Sequence, residues 1–170
     1  MGSLDGKKIA ILAIDGFEQS ELLEPKKALE DAGADVKIVS LKGGEIMSWN
    51  DKNWADSVAV DLILSETKSN DFDALHLPGG VINPDILRTK QEAVDFVKEF
   101  IAAEKPVSAI CHAPWMLINA GAVKGKTVTS WTSLKTDLEN AGAKWVDEEV
   151  VVDGLLVTSR KPADLPTFNE

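Results

Sequence analysis

Cysteine is almost absent from this chain, which has one in 170 residues. A single cysteine forms no internal disulfide, so the hydrophobic core alone must hold the fold together. Long apolar runs are also missing, since none approaches the roughly 18 residues that a membrane span requires. The first eight residues are polar or small and do not resemble a secretion signal. We therefore expect a cytoplasmic protein that does not bind membranes.

Positive charge is scarce as well. The chain has 18 Lys and Arg against 28 Asp and Glu, for a formal net charge of −10 at pH 7. This acidic balance argues against nucleic acid as a partner. The two histidines and one cysteine lack the number and spacing of ligands that a zinc site needs. We expect neither a metal nor a cofactor.

Apolar runs alternate with amphipathic segments along the chain, which predicts an α/β fold. The length suits one domain with a core large enough to need no staples. The runs are nearly continuous in apolar residues, as is typical of parallel strands covered on both faces. The main predicted elements are strands over 8–14, 36–41, 73–77 and 107–110 and helices over 18–32 and 91–103.

Two other segments carry turn signals. Residues 42–56 contain a Gly-Gly pair and two tryptophans, and we predict a turn followed by irregular chain. Asp153-Gly154 is a strong hairpin signal between predicted strands over 144–152 and 155–159. The segment 162–170 predicts a short last helix.

The one cysteine, Cys111, comes where a short apolar strand is expected to turn into a helix. Free N–H groups at the start of that helix would lower the pKa of the thiol and favour the thiolate. Ligands bind outside the carboxyl ends of parallel strands, so Cys111 is a candidate nucleophile and His112 a candidate proton carrier. The alternative is an inert buried thiol that only packs. A third group would be needed to orient His112.

Two other strand ends carry residues suited to chemistry. Glu18 follows the first strand, and Gly79 and Gly80 follow the strand over 73–77. If these strands are parallel neighbours of the one before Cys111, a carboxylate, a glycine-lined nest and a thiol share one pocket. The N–H groups of Gly80 and His112 could then stabilise an oxyanion. Alternatively, the glycines only turn the chain, and Glu18 only complements a helix dipole.

Four motifs follow one another along the chain: Asp15-Gly16-Phe17-Glu18, Leu77-Pro78-Gly79-Gly80, Ala109 to Pro114, and Glu149 to Asp153 followed by Ser159-Arg160. In this order they resemble the ThiJ/PfpI superfamily and in particular its PfpI-type branch of intracellular proteases. The resemblance runs from about Lys8 to Leu165. It implies a single PfpI-like domain over 1–170, similar to class I glutamine amidotransferases, with a flavodoxin-like three-layer sandwich. The sheet of that fold is mostly parallel, with helices on both faces.

The resemblance also implies roles for particular residues. Cys111 would be the nucleophile, His112 its helper, Glu18 would touch the thiol, and Gly80 and His112 would form the oxyanion hole. In the PfpI branch the third catalytic residue is an acid from a neighbouring subunit, and Asp85 fits that position, where some members carry glutamate. We therefore expect a homodimer or larger homo-oligomer that completes the active site. The family usually has a longer last helix than this chain.

The motifs and the family resemblance together imply one leading function, given first below, and two alternatives. The first is a stress-related cysteine hydrolase of the peptidase type, in which a thiolate attacks the carbonyl of a peptide or a small carbonyl compound. The second is a glyoxalase or deglycase that acts on methylglyoxal or glycated amines through a hemithioacetal. The third is a redox sensor or holding chaperone without turnover, in which Cys111 is oxidised beside Glu18.

Overall fold

The computed structural model describes residues 2–170. The strands in this range are β1 Lys8–Leu12, β2 Phe17–Glu18, β3 Asp35–Ser40, β4 Glu45–Asn50, β5 Asn53–Ala59, β6 Leu62–Ile63, β7 Ala74–Leu77, β8 Val107–Ile110, β9 Thr127–Val128, β10 Lys144–Trp145, β11 Val150–Asp153 and β12 Leu156–Ser159. The α-helices are α1 Gln19–Asp31, α2 Ile82–Leu87, α3 Gln91–Ala102, α4 Pro114–Asn119, α5 Lys135–Asn140 and α6 Leu165–Phe168.

The main sheet has seven strands in the order β11-β12-β8-β7-β1-β3-β6. Neighbouring strands in this sheet are parallel, except that β11 pairs antiparallel with β12. Strands β2, β4 and β5 form a small second sheet, and β9 pairs with β10. The chain thus needs crossover helices between the parallel strands, and the alternating sequence pattern supplies them.

The two faces of the sheet carry separate cores because side chains alternate along each strand. In β1, Ile9 and Ile11 pack into one core, whereas Ala10 and Leu12 pack into the other. Helix α1 contacts α6, while α4 contacts α2, α3 and α5. The arrangement is the flavodoxin-type, mainly parallel α/β fold that the sequence predicted. No helix within residues 2–170 is both long and apolar enough to span a membrane.

The prediction for residues 42–56 is wrong, since this segment forms most of the hairpin of β4 and β5. The turn residues Asp51 and Lys52 both have positive φ, at 43° and 68°. Two successive positive φ values define the turn that matches strand twist, and Asn-Gly or Asp-Gly usually marks it. Here Asp-Lys takes that backbone, so the usual signal was missing. Ile46 and Ser48 are buried, which anchors one face of the hairpin.

The hairpin predicted at Asp153-Gly154 is confirmed, as Asp153 pairs with Leu156 across the turn. Its first strand is shorter than predicted, because 144–152 divides into β10 and β11. The helix predicted to contain Pro25 is also confirmed, with the proline inside α1. Proline has no N–H, so the carbonyl four residues earlier in α1 lacks its usual helical donor.

Candidate active site

Three strand ends meet at one edge of the main sheet. Strands β8, β7 and β1 are adjacent and parallel, so the loops that follow them converge, as the sequence predicted. They border a cavity of about 480 Å³. Cys111, His112, Glu18 and Gly80 all line this cavity. Its outer wall includes Trp131 and the tip of the hairpin between β4 and β5.

Cys111 occupies a sharp corner between β8 and α4. Its φ is +63°, in the left-handed region that residues other than glycine rarely adopt. The backbone N–H of Cys111 donates to the carbonyl of Ser159 at 3.0 Å, and its carbonyl accepts from the N–H of Trp131 at 2.9 Å. These bonds hold a backbone strain of about 1–3 kcal/mol in place. The side chain is 7% exposed and borders the cavity.

His112 contacts the sulfur despite being the next residue. Its Nδ1 lies 3.1 Å from Sγ of Cys111, and its ring stacks on Trp131 with centroids 5.9 Å apart. Burial lowers the pKa of His112 to about 4, so the ring is neutral at pH 7. A neutral ring with its proton on Nε2 has a free lone pair on Nδ1. Nδ1 of His112 can therefore accept the thiol proton during reaction, while the low pKa of the ring keeps His112 unprotonated at rest.

Glu21 carries the carboxyl group that influences the thiol most strongly. Sequence reasoning did not single out this residue. Glu21 is fully buried in the first turn of α1, and its Oε1 accepts from the N–H of Gly79 at 3.1 Å. Burial, aided by the charge of Glu18, raises the pKa of Glu21 to about 8. Its Oε2 has no hydrogen-bond partner of ordinary geometry among the described residues. At pH 7 this group is mostly a neutral acid, ready to donate.

Glu18 was the residue expected to touch the thiol. It precedes α1 and lines the cavity, and burial raises its pKa. The charges of Glu18 and Glu21 both raise the pKa of Cys111, and the charge of Glu21 has the larger effect. Glu21, one helical turn after Glu18, is thus a second carboxyl close to the thiol, and the contact expected of Glu18 stays a prediction. A signal was present, because Glu21 shares the apolar face of α1 with Pro25 and Ala28 at spacings of four and seven.

The glycines after β7 bring backbone N–H groups to the sulfur. Gly80 has φ of +81°, and a Cβ there would lie 2.5 Å from the carbonyl oxygen of Gly16, so only glycine fits. The N–H groups of Gly80 and His112 both stabilise the Cys111 thiolate. These are the two donors that were predicted for an oxyanion hole.

The pKa of Cys111 is nevertheless raised and not lowered as predicted. Burial is the largest cause, followed by the charge of Glu21, and together they outweigh the N–H groups of Gly80 and His112. The helix after Cys111 is short, with only six residues, and its field is correspondingly weak. The resting sulfur is therefore a thiol that must lose its proton as it reacts, and His112 is placed to take it.

Asp85 and His76 lie outside this constellation. Asp85 is exposed on α2 and does not border the cavity of its own chain. His76 is buried in β7, with Nδ1 2.9 Å from Oγ of Ser108 and Nε2 2.8 Å from the carbonyl oxygen of Glu21. Of the predicted residues, the single chain thus brings together Cys111, His112, Glu18, Gly79 and Gly80.

Comparisons with known proteins agree with this fold. Residues 7–170 match the model of the DJ-1/PfpI family. Among solved structures, DJ-1beta of Drosophila melanogaster superposes with a TM-score of 0.87 at 29% identity, covering 99% of this chain and 87% of the other.

Similar curated proteins carry names of different functions. General stress protein 18 of Bacillus subtilis is 46% identical over 165 residues, which is 96% of this chain and 94% of the relative. A candidate cysteine protease of the same organism, YraA, is 44% identical over 96% of this chain and 94% of its own length. The deglycase TK1284 of Thermococcus kodakarensis is 43% identical over 93% of this chain and 92% of its own length.

Proposed function

This chain belongs to the DJ-1/PfpI family, and we propose that it is a thiol-dependent deglycase that removes small dicarbonyl adducts from amines. Cys111 is the nucleophile, His112 takes its proton, and the N–H groups of Gly80 and His112 hold the developing oxyanion. The names of the similar deglycases support the choice of reaction. The proposal takes its main support from the position of the sulfur in the cavity.

Cys111 lines the cavity, and only 7% of the residue is exposed. A reacting carbon must come within about 3–3.5 Å of its sulfur. A peptide bond would have to bring chain on both of its sides into the cavity. An adduct at the tip of a lysine or arginine side chain enters alone while the rest of its carrier stays outside. The geometry favours the second kind of substrate.

The reaction can be written for the adduct of methylglyoxal with an amine. Cys111 loses its proton to His112, and the sulfur bonds to the carbon that carries the nitrogen. The amine leaves with a proton, and a hemithioacetal remains. Its hydrogen moves from the carbinol carbon to the neighbouring ketone carbon, which gives a thioester, and water then releases lactate and restores the thiol. The sum is adduct plus water to amine plus 2-hydroxy acid.

Glu21 is the acid–base group that the hydrogen shift needs. The shift takes a proton from one carbon and returns one to the next, and both carbons are attached to the sulfur through one or two bonds. Efficient proton carriers have a pKa near the working pH, and burial brings that of Glu21 to about 8. Glu18 lines the same cavity and bears on the pKa of Glu21 through its charge.

Amine release from a methylglyoxal adduct of N-acetyl-lysine tests the proposal. We expect the protein to release amine and lactate, and protein whose thiol is blocked with iodoacetamide to release neither. A scavenger of free methylglyoxal in the assay separates two reactions, since an enzyme that acts only on the free aldehyde would gain nothing over the scavenger. Thiol-dependent cleavage of a fluorogenic peptide with no effect on the adduct would instead establish the peptidase.

A second candidate function is a peroxide sensor, and the donors around the sulfur favour it. The N–H groups of Gly80 and His112 and the protonated Glu21 surround the position where a sulfinate would carry its charge. Two molecules of peroxide would add two oxygen atoms to the thiol and leave two of water. A Cys111-dependent mass gain of two oxygens after mild peroxide, in protein that does not act on the adduct, would favour this function.

Asp85 is proposed to complete the site of a neighbouring copy by orienting His112. It lies on α2 beside Val81 and Ile86, whose side chains are 55% and 40% exposed. Exposed apolar side chains around a carboxylate suit a contact between two copies, because a polar group can then pair within an apolar rim. The Cys111–His112 pair also needs a third group to fix the ring.

We expect Asp85→Asn to slow turnover about tenfold to a hundredfold with the fold unchanged, since a neutral amide orients the ring but does not stabilise its positive charge. Mixing Asp85→Asn with Cys111→Ala protein supplies a sharper test. If Asp85 acts across an interface, mixed dimers contain one complete site, and random exchange restores about a quarter of the normal activity. Full activity of Asp85→Asn, or of a demonstrated monomer, would contradict this role.

A further inference from the structure

We propose that His76 is a positioning residue of the thiol site: it holds the backbone of Glu21, which Pro25 leaves without its helical partner, and so keeps the Glu21 carboxyl against Cys111. The inference rests on the proposed function only in taking Cys111 as the reactive thiol. It assigns a role to a buried histidine outside the cavity and to a proline inside a helix.

Pro25 removes one hydrogen bond from α1. In an α-helix the N–H of each residue donates to the carbonyl four residues earlier, so the carbonyl of Glu21 should accept from residue 25. Proline has no N–H and cannot donate. Glu21 and Pro25 are both buried, so water does not readily replace the missing donor. A buried carbonyl left unsatisfied costs about 1–3 kcal/mol.

His76 supplies the missing donor from the neighbouring strand. Its Nε2 lies 2.8 Å from the Glu21 carbonyl oxygen, and since a carbonyl only accepts, the proton must be on Nε2. Nδ1 then accepts from the hydroxyl of Ser108 at 2.9 Å. Two partners thus fix one neutral tautomer, and burial lowers the pKa of His76 to about 4, so the ring stays neutral around pH 7.

Two hydrogen bonds join Glu21 to β7 and to the loop that follows β7. The backbone of Glu21 accepts from His76, and its side chain accepts from the N–H of Gly79, three residues further along the same chain. The carboxyl that these bonds hold lies next to Cys111, since a Cβ on Gly79 would come within 2.5 Å of Oε1 of Glu21 and within 2.8 Å of the Cβ of Cys111. The position of α1 relative to β7 therefore decides how closely the Glu21 carboxyl approaches the sulfur. His76 fixes that position through its hydrogen bond to the Glu21 backbone.

The pH dependence of Cys111 alkylation by iodoacetamide measures this contact, and the chain's single cysteine makes intact mass a clean readout. The titratable groups that face the sulfur are Glu18, Glu21 and His112. Negative charges on Glu21 and Cys111 repel each other, which raises the pKa of the thiol. If Glu21 is held less closely, the thiol should therefore ionise at lower pH. We expect His76→Leu to lower the midpoint of alkylation by about half a pH unit or more.

Matched variants separate positioning from a general loss of packing. His76→Gln places an amide N–H near the position of Nε2 and should keep the midpoint of the unaltered protein. Pro25→Ala restores the missing N–H, so it should leave the midpoint unchanged on its own and return it to normal in the double variant with His76→Leu. A purely structural role for His76 predicts no such rescue by a substitution in the helix.

The proposal is overturned if His76→Leu keeps the normal midpoint, or if Pro25→Ala fails to correct it. Should His76→Leu not fold, recovery of folded protein by Pro25→Ala becomes the readout, and absence of that recovery overturns the proposal equally. These measurements need no substrate. A protein that fails to release amine from the adduct, yet shows the expected shifts, would therefore refute the deglycase and leave the role of His76 standing.

Discussion

Replacing Cys111 with alanine will lower kcat/KM for the amine adduct by a factor of about 10³ or more. The proposed reaction needs a covalent bond to sulfur, and His112 and the N–H group of Gly80 cannot supply one by themselves. What remains after the change is binding and oxyanion stabilisation, which give only a small part of the rate. Initial rates of amine release over a range of adduct concentrations will show the loss.

Cys111→Ser is the matched control for shape, since it keeps a small polar atom at the same strained corner. It should lose nearly as much activity, because an alcohol is far harder to ionise than a thiol. Both variants should unfold at temperatures close to that of the unaltered protein, as the backbone bonds to Ser159 and Trp131 do not involve the side chain. Undiminished turnover by Cys111→Ala would exclude every mechanism that acts through the sulfur.

Glu21→Gln will make the protein markedly more stable at alkaline pH. The pKa of Glu21 is about 8 in the folded chain against a usual 4.5, so the folded state favours the protonated acid. The stabilisation from this group is complete below about pH 4.5 and is lost as pH rises through 8. A shift of this size corresponds to at most about 5 kcal/mol, and relaxation of the site would reduce the effect to roughly 2–5 kcal/mol.

Chemical denaturation of Glu21→Gln and the unaltered protein between pH 5 and 9 measures this difference. Taking the difference cancels the contributions of His76 and His112, whose lowered pKa values reduce the stability of both proteins as pH falls from 6.5 towards 4. Glu24→Gln changes an exposed position of the same helix and should follow the unaltered protein. Parallel curves for Glu21→Gln and the unaltered protein would show that Glu21 is ionised in the folded state.

Much of the site could be predicted because it depends on strand order. Apolar runs that end at Ile14, Leu77 and Ile110 indicate parallel strands, and the residues after such strands must share one edge of the sheet if the strands are neighbours. Strand order therefore predicted that Gly80, Cys111 and His112 lie close together, as they do in the cavity. The family resemblance supported the same grouping, and the hydrogen bonds now give it distances.

Other parts could not be predicted because they depend on exact geometry. Glu18 and Glu21 lie one helical turn apart, and a small rotation of α1 decides which of them meets the sulfur. Whether the pKa of Cys111 is raised or lowered depends on how deeply the thiol is buried, and the sequence does not show that depth. The hairpin turn at Asp51 and Lys52 escaped because its backbone usually takes glycine. The role proposed for Asp85 depends on a second copy of the chain, which the structure of one chain does not include.

The floor and the rim of the cavity belong to different sheets. The thiol, its histidine and the glycine nest are fixed by the seven-stranded sheet, while Trp49, Asp51 and Lys52 come from the hairpin of the small sheet. Sequence change at the turn of that hairpin can alter which molecules enter, while the sulfur keeps its place at the edge of the seven-stranded sheet. One inherited chemistry can in this way diverge towards many substrates, with selection acting on the entrance alone.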